Sequence, residues 1–314
     1  MNESNKILMA MTSLFVGVVA LSFSPILIRL IENEISPNAT VFNRFWLASV
    51  VFGLWQAGKA IRQRLSFDKP VQQQRYTRKE LLLMLGAGTF FAATLVFMAW
   101  SLTQTSVAIS IVLHNLTPIF TSLGAWLLFG QGFNRQFLIG MVITLGGAIA
   151  IELDELQIAT GNVPGGLAAI LSAIFLAAYL LCVEQLRTKF SPTTIQLWIC
   201  GSAALVIFPL LLWAGDKIFP SSEGGWLAVI SFTLICQVLG QGLLTYSLDK
   251  LSSVVISLVH LLQPVFSAIF AWAIFWESLS FSQWVGFAVV LIGLYLAVSS
   301  QAAVHFSLNS LEDS

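Results

Sequence analysis

Residues 252–276 read SSVVISLVHLLQPVFSAIFAWAIFW, 25 positions without a charged side chain. At 1.5 Å per helical residue, such a run spans the roughly 30 Å hydrocarbon core of a bilayer. Moved back by 146 positions, the chain repeats itself as SVAISIVLHNLTPIFTSLGAWLLFG over 106–130. Ser106/Ser252, His114/His260, Pro118/Pro264, Phe120/Phe266, Ala125/Ala271, Trp126/Trp272 and Phe129/Phe275 coincide. The match runs on without a gap through Gly140/Gly286, Leu145/Leu291 and Gly147/Gly293. The deciding unit is therefore a membrane-crossing segment that occurs twice.

The rest of the chain fits that reading. Of its 314 residues 57% are hydrophobic and 10% charged, against roughly 25% charged in soluble domains. Mean hydropathy is +0.85. So few charges do not cover a globule, and the surface must face lipid. Apolar runs of spanning length recur near Ile7–Ile31, Asn38–Gly58, Glu80–Ser101, Thr105–Phe129 and Gln136–Leu153. A second set lies near Pro164–Leu186, Thr193–Ala214, Gly225–Ser247, Ser252–Trp276 and Ser282–Ser300. Lipid offers no partners to free backbone groups, so each run is expected to be helical. The expected fold is an all-α integral membrane protein with ten transmembrane helices. The first run is too long for the apolar core of a signal peptide and is expected to stay as a span.

Each half then holds five spans: a first repeat over 1–153 and a second over 154–300, with a tail over 301–314. The dipeptides Ser36-Pro37 and Ser191-Pro192 open spans two and seven in the same way. An odd number of spans per copy makes the second copy enter the bilayer from the opposite side. Such inverted repeats hold a substrate site near the midplane, where the copies meet. With the N-terminus inside, 12 of the 15 basic residues fall on the cytoplasmic side, in a strong positive-inside bias. Seven of them, Lys59, Arg62, Arg64, Lys69, Arg75, Arg78 and Lys79, form one loop cluster. The C-terminus then returns to the cytoplasm.

The candidate site follows from the duplicated His-x-x-x-Pro. A proline removes the amide that would bond the carbonyl four residues back, so Pro118 and Pro264 are expected to kink their helices. They would also free the carbonyls of His114 and His260. Ser110, His114, Thr117 and Thr121 share one helical face, as do Ser253, Ser257, His260, Gln263 and Ser267. Gln237 and Gln241 lie one turn apart on span eight. Polar stripes in membrane helices face a cavity or a neighbouring helix, and serine and threonine also bond their own i−4 carbonyls. Trp100 and Tyr246 are candidate cavity walls. Arg44, within span two, either meets an anionic substrate group or snorkels to the outer interface. Glu184 sits near the cytoplasmic end of span six, and Glu277 closes span nine. Gly140/Gly147 and Gly286/Gly293, each two turns apart, fit close-packing faces.

The run from Ser252 to Glu277, with its central proline, small and aromatic residues and closing Glu, resembles the ninth helix of the drug/metabolite transporter superfamily, EamA type. Thr105–Gly130 resembles its partner in the first half, with Gln131 where Glu is usual. Asn43-Arg44-Phe45 is similar to the family's second helix, and Ala168–Leu181 to its sixth. The resemblance implies ten helices, cytoplasmic termini and a cavity lined by helices three, four, eight and nine. It also implies transport of metabolites such as amino acids, often outward.

The expected function is secondary transport, as an exporter or exchanger, of small polar metabolites such as amino acids by alternating access around a midplane cavity in the plasma membrane; the alternative is a passive channel or facilitator for small solutes. The substrate-binding candidates are His114, His260, Ser110, Thr117, Gln237, Gln241, Ser257, Gln263, Trp100, Tyr246 and Arg44. Cys182, Cys200 and Cys236 lack metal-ligand spacing, so no metal or cofactor is expected. Neither Gly-x-Ser-x-Gly nor His-Glu-x-x-His occurs, which argues against an intramembrane enzyme. Expected partners are a small-molecule substrate, the bilayer and a second copy of the chain in a homodimer. The zero net charge argues against nucleic acid.

Overall fold

The computed structural model describes residues 3–65, 76–156, 163–275 and 280–299, and every regular element among them is helical. In the first half these are α1 (Glu3–Leu21), α2 (Ser24–Ile31), α3 (Pro37–Leu65), α4 (Arg78–Gln104), α5 (Val107–His114), α6 (Thr117–Phe129) and α7 (Arg135–Leu156). The second half holds α8 (Val163–Arg187), α9 (Pro192–Ala214), α10 (Glu223–Phe232), α11 (Gly242–Ser247), α12 (Ser253–Val259), α13 (Leu262–Phe275) and α14 (Phe281–Val298). A π-helical segment, Thr233–Gln241, joins α10 to α11.

Among the described residues, eight helical stretches are long and apolar enough to cross a membrane. The other two expected runs fall on α3 and α7. At 29 residues α3 has ample length, but Asn43, Arg44, Gln56, Lys59 and Arg62 make it less apolar. The apolar part of α7, Arg135–Ile151, is shorter than the eight. Trp276 and Glu277 lie outside the described residues, as do Lys69 and Arg75 of the basic cluster.

Side chains at the helix ends explain where the helices begin. Ser106 and Ser252, the repeat-related pair, both act as N-caps, accepting from the amides of Ile109 and Val255. Ser191 and Ser222 cap α9 and α10 in the same manner, and Thr77 with Glu80 forms a capping box on α4. Gly130 and Gly215 close α6 and α9 at φ 65° and 67°, left-handed values that glycine adopts without strain. At one end of the molecule Glu34 ties the turn after α2 to the start of α10, accepting from the amides of Ser221 and Ser222 and the Ser222 hydroxyl. Nearby, the Ser36 hydroxyl donates to Asp216 Oδ2 at 2.6 Å.

The Ser222 hydroxyl, helped by the two amides, holds the Glu34 carboxyl below the usual carboxylate range. A depressed native pKa adds stability above the unfolded value and loses it as pH falls through the native one. Glu34→Gln is therefore expected to lower the thermal unfolding midpoint at neutral pH. The gap from wild type should close as the solution is made acidic.

Glycine faces set the closest helix approaches. A Cβ on Gly140 would stand 2.4 Å from the Ala297 amide nitrogen, and one on Gly293 would stand 2.4 Å from that of Thr144. Gly147 and Gly286 meet Val290 and Ile151 just as tightly. The glycines two turns apart thus join α7 to α14, the last helix of each half, nearly backbone to backbone. Outside this packing, Leu82, Leu205, Trp213 and Tyr295 are exposed on an apolar perimeter, which suits acyl chains.

Candidate functional site

Three of the long stretches are broken near their middle or end. Helix α5 stops at His114 and α6 starts at Thr117, so Pro118 falls in a first turn, where its missing amide is harmless. Helix α12 stops at Val259 and α13 starts at Leu262, with Pro264 in its first turn. A third break, at Ser22–Phe23, separates α1 from α2. The two prolines therefore end helices rather than only bend them. The freed carbonyls expected at the histidines are not free. His114 O accepts from the Thr117 hydroxyl at 2.7 Å, and His260 O accepts from the Gln263 amide at 2.9 Å. Short local bonds satisfy them because an open carbonyl in a dry interior is costly.

The two breaks face each other across one cavity. His114, Asn115, Thr117 and Pro118 line one side, Ser257, His260 and Leu261 the other, and Leu176 and Leu180 of α8 close it. Its interior volume is about 20 Å³, room for a water molecule or so, so the two halves are closed down on the site in this conformation. The histidines are close enough for charge on one to act on the other. Ser172 of α8 sits 3.0 Å from His114 Nδ1, and its hydroxyl donates to Thr94 O at 2.8 Å. With that proton committed, Ser172 Oγ accepts from Nδ1–H, leaving His114 Nε2 as an acceptor. Asn115 Nδ2, buried at the lining, has no hydrogen-bond partner. An imidazole acceptor and an unused amide donor thus belong to residues of the lining.

A second polar cluster adjoins it. Arg44 is 6% exposed, so it does not snorkel. Its Nε donates to Gln237 Oε1 at 2.7 Å, while the guanidinium carbon lies 4.9 Å from the Phe232 ring, 5.8 Å from Phe91 and 6.0 Å from Phe45. Aromatic faces at this range stabilise a cation. Gln237 Nε2 donates to Gln196 Oε1 at 3.1 Å, and Gln196 Nε2 donates to Thr245 Oγ1 at 2.6 Å. The Tyr179 hydroxyl donates to Gln241 Oε1 at 3.3 Å. Gln237 and Gln241 belong to the π segment, a geometry frequent at functional sites. Among the described residues no carboxylate pairs with Arg44, and Nε makes its only hydrogen bond. It is a buried cation with spare donors, within electrostatic reach of His260.

The remaining candidates lie elsewhere. Ser110 bonds Ser101 Oγ at 2.7 Å, and Ser101 bonds Gly165 O, so this pair joins helices. Gln263 Nε2 reaches Leu21 O at 3.4 Å and the Ser267 hydroxyl reaches Ser22 O at 2.9 Å, both on the broken α1–α2 stretch. Trp100 is 47% exposed, and neither it nor the part-buried Tyr246 lines the cavity. Asn115, Ser172, Tyr179 and Gln196 were not singled out from sequence. Gln196 lies on α9, one turn from Cys200, and that spacing could have flagged it beside the Gln237 and Gln241 pair.

A bundle of apolar helices with paired breaks around a small internal cavity has the form of a multi-pass membrane protein. The chain belongs to the EamA-like transporter family, whose pattern it matches twice, over residues 8–153 and 163–299. An uncharacterized transporter of Archaeoglobus fulgidus is 23% identical over 304 residues, covering 96% of this chain and 99% of the relative. The pseudopaline exporter CntI of Pseudomonas aeruginosa is 23% identical over 224 residues, 71% of this chain and 76% of the relative. One solved crystal structure superposes with a TM-score of 0.75 at 16% identity, covering 94% of this chain and 98% of that one. The family and these relatives are transporters, not enzymes.

Proposed function

We propose that this protein is a secondary carrier that moves small polar metabolites, amino acids among them, out of the cell by alternating access. In this reading α3 and α7 complete a set of ten spans in two inverted five-helix repeats, within the plasma membrane and with both termini cytoplasmic. The observation that carries it is the meeting of the two repeat-related breaks, at His114 and His260, on one cavity. Inverted repeats that part at helix breaks open a midplane site to each side in turn. The positive-inside bias supports the orientation, and the relative named as an exporter supports the outward direction.

The substrate class follows from the donors and acceptors. His114, Asn115, Thr117, Ser257 and His260 make a neutral, hydrogen-bonding lining. Arg44 adds a cation suited to a carboxylate. Together they fit a zwitterion. A passive channel fits less well, because the cavity is bounded by Leu176, Leu180 and Leu261 rather than by a ring of charges or carbonyls.

Single His114→Ala and His260→Ala variants test the site. Each is expected to lower saturable counterflow in proteoliposomes by roughly tenfold or more, the effect of removing one buried hydrogen-bonding partner. Two correctly inserted variants that exchange at the wild-type rate would remove the cavity from the transport path.

A further inference from the structure

Two buried polar atoms at one end of the cavity lack partners: Glu184 Oε1 and Ser253 Oγ. Glu184 is 3% exposed, and its other oxygen accepts the Ser253 amide at 3.1 Å. The position of the pair is set by helical spacing. Leu176 and Leu180 line the cavity, and Glu184 is the next residue on that face of α8, one turn on. Ser257 lines the cavity from α12, and Ser253 is one turn before it. The carboxyl and hydroxyl therefore form a floor about 5 Å beyond the lining, in the seam between α8 and α12.

No charge answers this carboxyl among the described residues. Arg187, on the next turn of α8, donates to Thr245 O and Phe190 O and pairs with Asp249. Asp249 also faces Lys250. Of the helices packed against α8, α6 and α12 carry no ionisable side chain. His114 on α5 bonds Ser172, Tyr179 and Cys200 belong to the Arg44 cluster, and Glu80 on α4 pairs with Lys189. Tyr246 on α11 and Cys182 on α8 make no hydrogen bond to Glu184.

We propose that Glu184 is a reversible proton-binding site that controls opening of the cavity at the end of the molecule carrying Arg187. A carboxylic acid can donate its O–H to Ser253 Oγ, which pairs both orphan atoms and leaves the seam dry. A carboxylate has about four acceptor positions, and the seam supplies it only one amide and one hydroxyl. The rest must come from water, because an ionised group without partners is strongly disfavoured in a dry interior. Loss of the proton therefore draws water between α8 and α12 and opens the floor. Binding of the proton seals it.

The inference rests on the cavity being the transport site proposed above, but its test needs no substrate. Leu180→Cys is placed in a chain whose three native cysteines are alanine, and a Thr188→Cys chain serves as the exposed reference. Alkylation by a water-soluble maleimide is followed at about pH 5 and about pH 8, each rate divided by that of the reference. We expect the ratio to rise about fivefold or more with pH, the lower end of couplings between sites. Glu184→Gln, which holds the neutral form, should give a low ratio that does not change. A wild-type ratio indifferent to pH, or the same rise in Glu184→Gln, overturns the proposal. The second result would assign the response to the histidines. If Glu184→Gln does not fold, Ser253→Ala decides: a displaced pH midpoint is expected, and an unmoved one refutes the site. Failure here leaves the counterflow result on His114 and His260 standing.

Discussion

Replacing Arg44 by leucine is expected to abolish nearly all saturable transport. The guanidinium is a buried cation with donors to spare, and three aromatic faces and Gln237 hold it in place. A charged hydrogen bond to substrate contributes about 1.5–3 kcal/mol, so its loss corresponds to roughly a ten- to hundredfold fall in rate. Leucine also leaves the fully buried Gln237 Oε1 without its donor, a folding penalty of about 1–3 kcal/mol. The two effects separate in the double variant Arg44→Leu/Gln237→Leu. Replacing both partners by apolar groups can be nearly neutral for stability, but Gln196 Oε1 then loses the Gln237 amide, so the double variant should fold no worse than the single one. It should still not transport. Arg44→Lys keeps the charge but loses the planar fork, and partial activity is expected. Wild-type exchange in Arg44→Leu would make the residue purely structural. Thermal unfolding and initial counterflow rates decide the matter.

The largest expected effect on stability comes from Gly293→Val. Any Cβ there meets the Thr144 amide nitrogen at 2.4 Å and the Gly140 carbonyl oxygen at 2.8 Å, so backbone rather than a flexible side chain must give way. The joint between α7 and α14 has to open, and Gly140 then loses its close contact with the same helix. Overpacking of this kind costs about 3 kcal/mol, at the upper end of the usual range. A lower unfolding midpoint in detergent and a reduced yield of monodisperse protein should follow. Gly146→Ala, on the facing stretch of α7, is the control. It meets nothing within 4 Å, and Ala favours a helix over Gly by roughly 0.5–1 kcal/mol. It should be neutral or slightly stabilising. Equal loss in both variants would mean that helix propensity, not the α7–α14 contact, sets the outcome.

The two glycine pairs were readable in the sequence because they recur two turns apart at matched positions of the repeat. The helix breaks were readable for a related reason. Proline carries its geometric consequence with it, so the duplicated His-x-x-x-Pro pointed to the place where α5 and α12 stop. What happens to the liberated carbonyl was not readable, because Thr117 and the Gln263 amide take it through the local geometry of the turn. Stripes of serine and threonine were also ambiguous. Ser257 lines the cavity although its hydroxyl donates to Val254 O at 2.8 Å, whereas Ser110 bonds Ser101 of another helix, and one periodicity serves both uses.

Arg44 stood out as a charge within an apolar run, but its surroundings did not. Gln196, Tyr179 and Thr245 join its cluster through Gln237 and Gln241 only after α3, α8, α9, α11 and the π segment have packed, and no local pattern encodes that pairing. The π segment leaves no periodic signature of its own in so apolar a stretch. Ser172 was hidden in the same way: its bond to His114 spans 58 residues of chain. Counting spans by hydropathy was weakest at α3. There the polar residues that dilute the apolar signal are tied to other parts of the fold rather than marking a loop: buried Asn43 bonds Ile218 O between α9 and α10, buried Arg44 bonds Gln237, and half-buried Gln56 bonds Thr194 of α9.

We read this chain as a carrier with one midplane site between its two halves. Counterflow measures that most directly: wild-type protein is reconstituted into proteoliposomes preloaded with a mixed pool of amino acids, and each labelled amino acid is offered outside. Saturable accumulation of a subset, driven by exchange with the internal pool, is the predicted result. Rapid passage that does not saturate and needs no internal pool would contradict it, and would make the protein a channel.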